Sequence, residues 1–244
     1  MSGEKALARS LTAHGGIERW DTVEEIAFDL VTGGLALLSH GQRELETRAV
    51  VSTREPRVVL SPYRQWPRAV CERDRVLIED RQGCIVAERP NPRASMGHGR
   101  RLLWWDPLDA LYFVGYALST YVRAPFLFVQ EGFHVEAAGS LEWNGDRWEM
   151  LRVTFPPDEP THCQTQVYYL NDQGLIQRLD YVAEPVGRWA HAAHFCTEYR
   201  DVGGLRVATR RWAVPRRSTG SVWLWPWLVR IQIDGVQLTS SRRC

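Results

Sequence analysis

Apolar and polar residues alternate in short runs along most of this chain, a period typical of half-buried β-strands. Each run is bounded by Gly, Pro, Asp or Asn, which favour turns. The pattern is clearest between Gln164 and Pro215, where it predicts strands at QTQVYYL, LIQRLDYVAE, AHAAHFCTEYR and LRVATRRWAV. Earlier strands are predicted near residues 25–31 and at TRAVVST, RVVLSP, RVLIED and CIVAER, with an apolar run, LALLS, between them. Later strands are predicted at FHVEAAGS, RWEMLRVTF and WLVRIQIDGVQLTS.

Short turns join several of these strands in sequence. Gly83 supplies a turn between RVLIED and CIVAER, and Asn144-Gly145 is a strong signal for a two-residue hairpin. The segment 171–174 (NDQG) predicts another turn. Sequential hairpins indicate an antiparallel sheet.

Two segments have helical rather than alternating periodicity. Residues 4–14 predict a short helix that ends at Gly15-Gly16. The stronger helix begins at Asp106, a candidate N-cap, with Pro107 at the first helical position, and Pro125 ends the pattern. This helix is apolar on most sides, so we expect it to be buried all round. Residues 89–103 lack periodicity and predict a loop.

These elements predict an α+β fold in one domain spanning residues 1–244. We expect a strongly curved antiparallel sheet, or half-barrel, wrapped around the buried helix, with a short N-terminal helix.

The chain resembles a known family in the GGIERW segment, the long meander and the block YYLNDQGLIQRLDY … HFCTEYRDVGGLRVATRR. The matching positions are Gly174, Leu175, Arg178, Asp180, Tyr181, His194, Tyr199, Gly204, Thr209, Arg210 and Arg211. On these features it is similar to the LolA-like, lipoprotein-carrier-like half-barrel superfamily, and most similar to its uncharacterised cytoplasmic actinobacterial members. The resemblance implies a cavity between sheet and helix that accepts apolar ligands. The sequence departs from the sorting carriers in that it predicts neither an export signal nor a lipobox cysteine.

Composition excludes several classes of protein. The net charge is +1 without a block of like charge, which predicts no nucleic-acid partner. The five cysteines are scattered without a C-x-x-C pair, which indicates reduced thiols and neither a disulfide framework nor a metal site. Motifs for nucleotide or zinc binding are missing, so no cofactor is predicted. Without a signal peptide or an apolar run long enough to span a membrane, the sequence predicts a cytoplasmic protein.

One pair of residues suggests chemistry. If the strands around PVGRW pair so that Glu184 faces Ala190, Asp180 lies directly opposite His194, with Cβ atoms about 4.5–5.5 Å apart. An Asp beside a His orients the imidazole and raises its basicity, as a general base requires. The same pattern also fits a solvent-exposed sheet face with cross-strand ion pairs, or a buried polar anchor for a ligand.

The 26 aromatic residues supply candidates for a ligand pocket (11 Trp, 8 Tyr and 7 Phe). We predict lining roles for Tyr112, Tyr116, Trp105, Tyr181 and Phe195. Core packing is the alternative for the two helical tyrosines. The segment 221–228 (SVWLWPWL) and Trp104 fit a core, a pocket rim or an exposed association patch. His162 and His191, which flank strands, are expected at the surface.

The sequence therefore predicts a binder of an apolar small molecule in an aromatic-lined cavity. The alternative is a cofactor-independent cyclase or isomerase that uses the same cavity, with Asp180 and His194 as its acid–base pair. A third reading is a partner-binding protein that uses the exposed SVWLWPWL segment. The sequence leaves open a homodimer through the C-terminal aromatic strand.

Overall fold

A 13-stranded antiparallel sheet dominates the computed structural model, which describes residues 2–217 and 220–240. Its strands are β1 Val23–Gly33, β2 Leu45–Ser52, β3 Val58–Ser61, β4 Arg68–Cys71, β5 Arg75–Glu79, β6 Ile85–Pro90, β7 His134–Trp143, β8 Asp146–Thr154, β9 Thr165–Leu170, β10 Ile176–Val182, β11 His191–Val202, β12 Leu205–Pro215 and β13 Val229–Ser240. The helices are α1 Gly3–Ala13, α2 Ile17–Trp20, α3 Leu35–Leu38, α4 Pro92–Ser95 and α5 Pro107–Arg123, with 3₁₀ turns at Gly99–Leu102 and Phe126–Val129.

The strand order shows how the chain builds this sheet. It reads β6-β5-β4-β3-β2-β1-β13-β12-β11-β10-β9-β8-β7, so the described sheet is open, with β6 and β7 at its edges. The first six strands advance to one edge, α5 follows, and the last seven strands return from the other edge until β13 pairs with β1. Helix α1 packs on β7 and β8, where it shields an edge that would otherwise expose unpaired backbone groups.

Most of the predicted elements are confirmed. The hairpins at Gly83 and Asn144-Gly145 form, and Asn144 takes a positive φ of 52° that such a turn requires. Two predictions were incomplete: β4 was missed, and the expected loop 89–103 contains the end of β6 and two short helical turns. The LALLS run forms the one-turn helix α3, because Gly34 adopts a φ of 127° and redirects the backbone after β1.

Helix α5 begins at a capping box and is buried along nearly its whole length. The Asp106 side chain accepts a hydrogen bond from the Asp109 backbone N–H (3.0 Å), and the Asp109 side chain accepts one from the Asp106 N–H (3.2 Å). Fifteen of its 17 residues are buried. One side of α5 contacts β2 to β6. The predicted N-cap, the C-terminal boundary before Pro125 and the burial are confirmed.

Gly115 allows α5 to lie close against β4. A Cβ atom at this position would be 2.4 Å from Cys71 Cβ and 2.6 Å from Cys71 Sγ. We expect Gly115→Ala to lower the free energy of unfolding by about 1–3 kcal/mol through overpacking, although alanine raises helix propensity by about 1 kcal/mol. Urea unfolding measures the change. In the double variant with Cys71→Gly the two effects should be non-additive, because the added methyl group then has room. A stabilised Gly115→Ala protein would contradict this packing.

The predicted register between β10 and β11 is wrong by one residue. His194 pairs with Leu179, and Asp180 pairs with Ala193. The connection is one residue longer than expected, because the N–H of Ala183, not that of Glu184, donates to the Ala190 carbonyl. Within this connection, the N–H groups at 186 and 187 both donate to the Ala183 carbonyl. Because side chains alternate between faces, a slip of one residue puts Asp180 and His194 on opposite faces of the sheet. The predicted acid–base pair therefore does not form.

Candidate functional site

A chain of buried polar groups connects α5 to the sheet. The Tyr116 hydroxyl lies 2.9 Å from His162 Nδ1, and the Tyr121 hydroxyl lies 2.6 Å from His162 Nε2. The Tyr121 hydroxyl also lies 3.2 Å from the Tyr181 hydroxyl. The Tyr181 hydroxyl in turn lies 3.3 Å from His194 Nδ1. The His162 and Tyr181 rings stack with centroids 3.9 Å apart. The network thus links both nitrogens of one histidine to two tyrosines of the same helix.

His162 enters the interior on the connection between β8 and β9. The Arg93 guanidinium donates to the carbonyl oxygens of Thr161 (2.6 Å) and His162 (3.1 Å) and forms an ion pair with Glu184 (2.6 Å). The Thr120 hydroxyl on α5 donates to the Pro160 carbonyl. These contacts hold the connection against α5, so the expectation that His162 lies at the surface is wrong. His191 lies at the start of β11 and is half-buried.

Burial keeps every member of this network uncharged near neutral pH. It lowers the pKa of His162 to about 3, and lowers the pKa of His194 well below the usual range. Burial also raises the pKa of the hydroxyls of Tyr116, Tyr121 and Tyr181. His194 Nε2 has no hydrogen-bond partner among the described residues. Neutral hydroxyls and imidazoles can donate and accept hydrogen bonds without placing a net charge in the core.

An apolar cavity of about 380 Å³, here called the main cavity, lies beside this network. Tyr181 of the network and Phe113 of α5 line it, together with small and aliphatic side chains of β11 to β13 and of the β10–β11 connection, including Ala183, Val186, Ala192, Ala213 and Val229. Leu35 and Trp189 also line it and are exposed, so the mouth lies between α3 and the β10–β11 connection. The few polar side chains in the wall include His191 and Arg216.

Exposed aromatic and aliphatic side chains extend from this mouth. Trp189 is 73% exposed and Trp225 is 79% exposed, and Trp223, Leu224 and Trp227 are also exposed. The segment 222–228 is held beside the mouth, because the N–H groups of Leu35 and Ala36 donate to carbonyls of Trp227 and Leu228. The sequence left open a core, a pocket rim or an association patch for SVWLWPWL. Because its three tryptophans are exposed, the prediction of a core is wrong for them.

The predicted lining residues are divided among different sites. Tyr181 lines the main cavity, and Tyr116 lies behind it in the polar network. Tyr112 lines a separate polar cavity beside Arg93. Trp105 is fully buried, donates from Nε1 to the Arg101 carbonyl and stacks on His40. Phe195 lies on the sheet face opposite α5, here called the outer face, because of the register difference in β11.

Asp180 is buried on this outer face, which is not solvated in this region. It accepts hydrogen bonds from Arg178 Nε (2.6 Å) and from the Tyr169 hydroxyl (2.8 Å). The Arg178 guanidinium is surrounded by the rings of Tyr169, Phe195 and Trp143. Arg178 is 1% exposed and Asp180 is 5% exposed. The carboxylate therefore neutralises a buried arginine.

The part of the chain that the structure describes has neither a metal-binding cluster nor a membrane-spanning helix. No group of three or more His, Cys, Asp and Glu side chains within residues 2–217 and 220–240 is arranged to hold a metal ion. No described helix is long and apolar enough to cross a bilayer. Cys71, Cys84, Cys163 and Cys196 are free thiols, and Cys244 lies outside the described residues.

Comparisons with known proteins identify the fold class. No family model and no curated protein matches the chain. A LolA superfamily protein from Nitrosomonas europaea matches over 99% of this chain and 95% of its own, with a TM-score of 0.54 and 9% identity. A DUF1329 family protein from Desulfovibrio piger matches over 97% and 92%, with a TM-score of 0.50 and 11% identity. The fold is therefore LolA-like, as the sequence resemblance implied, whereas the narrower placing among cytoplasmic actinobacterial members stays a prediction.

Proposed function

We propose that this protein binds an apolar small molecule in the main cavity. The observation that carries the proposal is the cavity itself, whose volume of about 380 Å³ lies within the range of about 300–1,000 Å³ usual for ligand sites. Its wall is mostly apolar, so burial of apolar ligand surface would supply most of the affinity. Tyr181 and His191 offer polar groups that would fix the orientation of a ligand. The LolA-like resemblance implies a cavity of this kind.

We also infer that the sheet curves around α5 to form the cavity. The helix touches β4 through Gly115 and reaches Tyr181 on β10 through Tyr121. These strands are seven positions apart in the sheet, which is about 34 Å in a flat sheet at 4.8 Å per strand. A helix with its side chains is only about 10–12 Å wide. Strong curvature brings both strands to one helix.

The cyclase or isomerase alternative required Asp180 beside His194 at the cavity. The observed register separates these residues, and Asp180 is occupied by Arg178 on the outer face. We therefore propose a binding protein, and a cytoplasmic location stays a prediction.

Native mass spectrometry of the protein purified from its own cells is the first test, since a bound apolar compound would be detected directly.

After delipidation, we expect the neutral dye N-phenyl-1-naphthylamine to bind with enhanced fluorescence. Ala190→Trp, which adds an indole to the cavity wall, should weaken binding by about tenfold or more, equivalent to about 1.4 kcal/mol. Ala138→Trp, at a half-buried position on β7 away from the cavity, is the matched control. Equal affinity for the dye in wild type and Ala190→Trp would place the ligand elsewhere.

A further inference from the structure

A second, smaller cavity lies on the same side of the sheet, toward the opposite ends of its strands. Its volume is about 30 Å³, and we call it the arginine pocket. The polar side chains that line it are those of His14, Tyr121, Tyr199, Arg206 and Arg211. The main cavity is lined by the end of β12 and the start of β13, whereas the arginine pocket is lined by the start of β12. A space of this size accommodates one small polar group.

The two arginines of this pocket are half-buried and lack the carboxylate partner that the fully buried Arg123 and Arg178 have. Arg123 pairs with Glu159 at 2.6 Å, and Arg178 pairs with Asp180. Neither Arg206 nor Arg211 forms an ion pair with any described residue. The Nε atoms of both are buried and lack a hydrogen-bond partner in the part of the chain that the structure describes, whereas the terminal nitrogens of Arg211 donate to Cys196 Sγ (3.0 Å) and to the Tyr121 carbonyl (3.1 Å). A partly desolvated guanidinium without a counter-charge favours an anion beside it.

The other polar groups of the pocket do not supply that anion. His14 Nδ1 donates to the Ser10 carbonyl at 2.8 Å, and the Tyr199 hydroxyl donates to the Ile176 carbonyl at 2.6 Å. Burial, together with the charges of Arg211 and Arg206, lowers the pKa of His14 to about 4. The field in the pocket is therefore positive and favours a negatively charged group.

A third, narrow void lies between the arginine pocket and the main cavity along α5. This void of about 20 Å³ shares Leu118 and Tyr121 with the arginine pocket, and shares Phe113 and Val229 with the main cavity. The three spaces therefore lie in series along one side of the helix. From Phe113 to Tyr121 the helix rises about 12 Å, at 1.5 Å per residue. The intermediate void is lined mainly by apolar side chains.

We propose that the ligand is an anionic amphiphile whose carboxylate or phosphate head binds Arg206 and Arg211, while its apolar chain extends along α5 into the main cavity. Guanidinium groups bind both kinds of head through paired, charge-assisted hydrogen bonds. Leu118 and Tyr121 must rotate aside for the chain to pass, because the intermediate void is narrow. This proposal deepens the proposed function and rests on it.

Competition experiments on the full-length, delipidated protein test the head group. N-phenyl-1-naphthylamine is displaced by dodecanoate, dodecyl phosphate, dodecanol or dodecyltrimethylammonium, which share one chain length. We expect at least one anionic ligand to bind about tenfold or more tightly than the neutral and cationic ligands. A preference for dodecanoate or for dodecyl phosphate distinguishes the two head groups.

Arg206→Met is the main variant, because the Arg206 side chain has no described ion pair to lose, and Arg211→Lys is the second. We expect both to reduce the preference for the anion while dye binding stays within about twofold of wild type, which also shows that the variants fold. Arg188→Met removes an exposed arginine next to Trp189 at the cavity mouth and is the control.

The outcomes separate the two proposals. Loss of the preference in Arg206→Met and Arg211→Lys, but not in Arg188→Met, supports the arginine pocket. Equal affinity for all four ligands, or loss only in Arg188→Met, overturns it and leaves apolar binding intact. Failure of the wild-type protein to take up the dye or any of the four ligands overturns both proposals.

Discussion

Asp180→Ala is expected to lower the free energy of unfolding by about 3–5 kcal/mol, because it leaves the Arg178 guanidinium buried without its carboxylate. The Tyr169 hydroxyl loses its acceptor at the same time. Arg216, whose Nε lies 3.5 Å from the same carboxylate, retains solvent access and adds little. Chemical denaturation at neutral pH measures the loss.

Two variants show whether the buried charge is the cause. Asp29→Ala removes an aspartate that pairs with Arg48 across β1 and β2, but that pair is exposed, so we expect a change of about 0–1 kcal/mol. Arg178→Met combined with Asp180→Leu removes both charges and should recover much of the lost stability. A loss of under about 1 kcal/mol in Asp180→Ala would show that Arg178 is solvated in solution.

The same variant tests the role first predicted for Asp180. On the outer face it cannot orient an imidazole or anchor a ligand in the main cavity. Molecules of Asp180→Ala that remain folded should therefore bind N-phenyl-1-naphthylamine as wild type does. Loss of dye binding in the folded protein would return Asp180 to the site.

Local sequence signals predicted the features that depend on a few neighbouring residues. Asp106 and Pro107 determine where α5 begins, and its all-round apolar sequence determines its burial. The Asn144-Gly145 pair likewise determines a turn that depends on two backbone conformations. Such features need no knowledge of the remaining fold, which is why they were predicted correctly.

Register and loop burial depend on contacts that periodicity does not reveal. One additional residue in the connection between Ala183 and Ala190 reversed the predicted faces of His194 and Phe195. His162 was missed because it lies on a connection, where polar residues are usually exposed. A usable signal was nevertheless present: Tyr116 and Tyr121 on a buried helix require buried hydrogen-bond partners.

Acid is expected to destabilise this protein steeply between pH 6.5 and about pH 4. His14, His162 and His194 are held neutral in the folded state, whereas in the unfolded chain each takes up a proton near the ordinary pKa of about 6.5. Because the pKa of each histidine is lower in the folded state than in the unfolded chain, its contribution to the free energy of unfolding is fully present above pH 6.5. This contribution is lost as the pH falls toward the pKa of the folded state, which is about 4 for His14 and about 3 for His162. Each histidine contributes about 1.4 kcal/mol per pH unit, so the three together give a slope of about 4 kcal/mol per unit.

Urea unfolding at several pH values between 5 and 7.5 measures this slope independently of the stability at neutral pH. His162→Gln loses stability at every pH because its hydrogen bonds to Tyr116 and Tyr121 are weakened, but its slope should fall by about one third, since one of three proton sites is gone. His134→Gln removes an exposed histidine on β7 and should leave the slope unchanged. An unchanged slope in His162→Gln would mean that His162 is already protonated, and therefore solvated, in the folded protein. The tyrosine–histidine network would then be open to water, and the wall between it and the main cavity would not be dry.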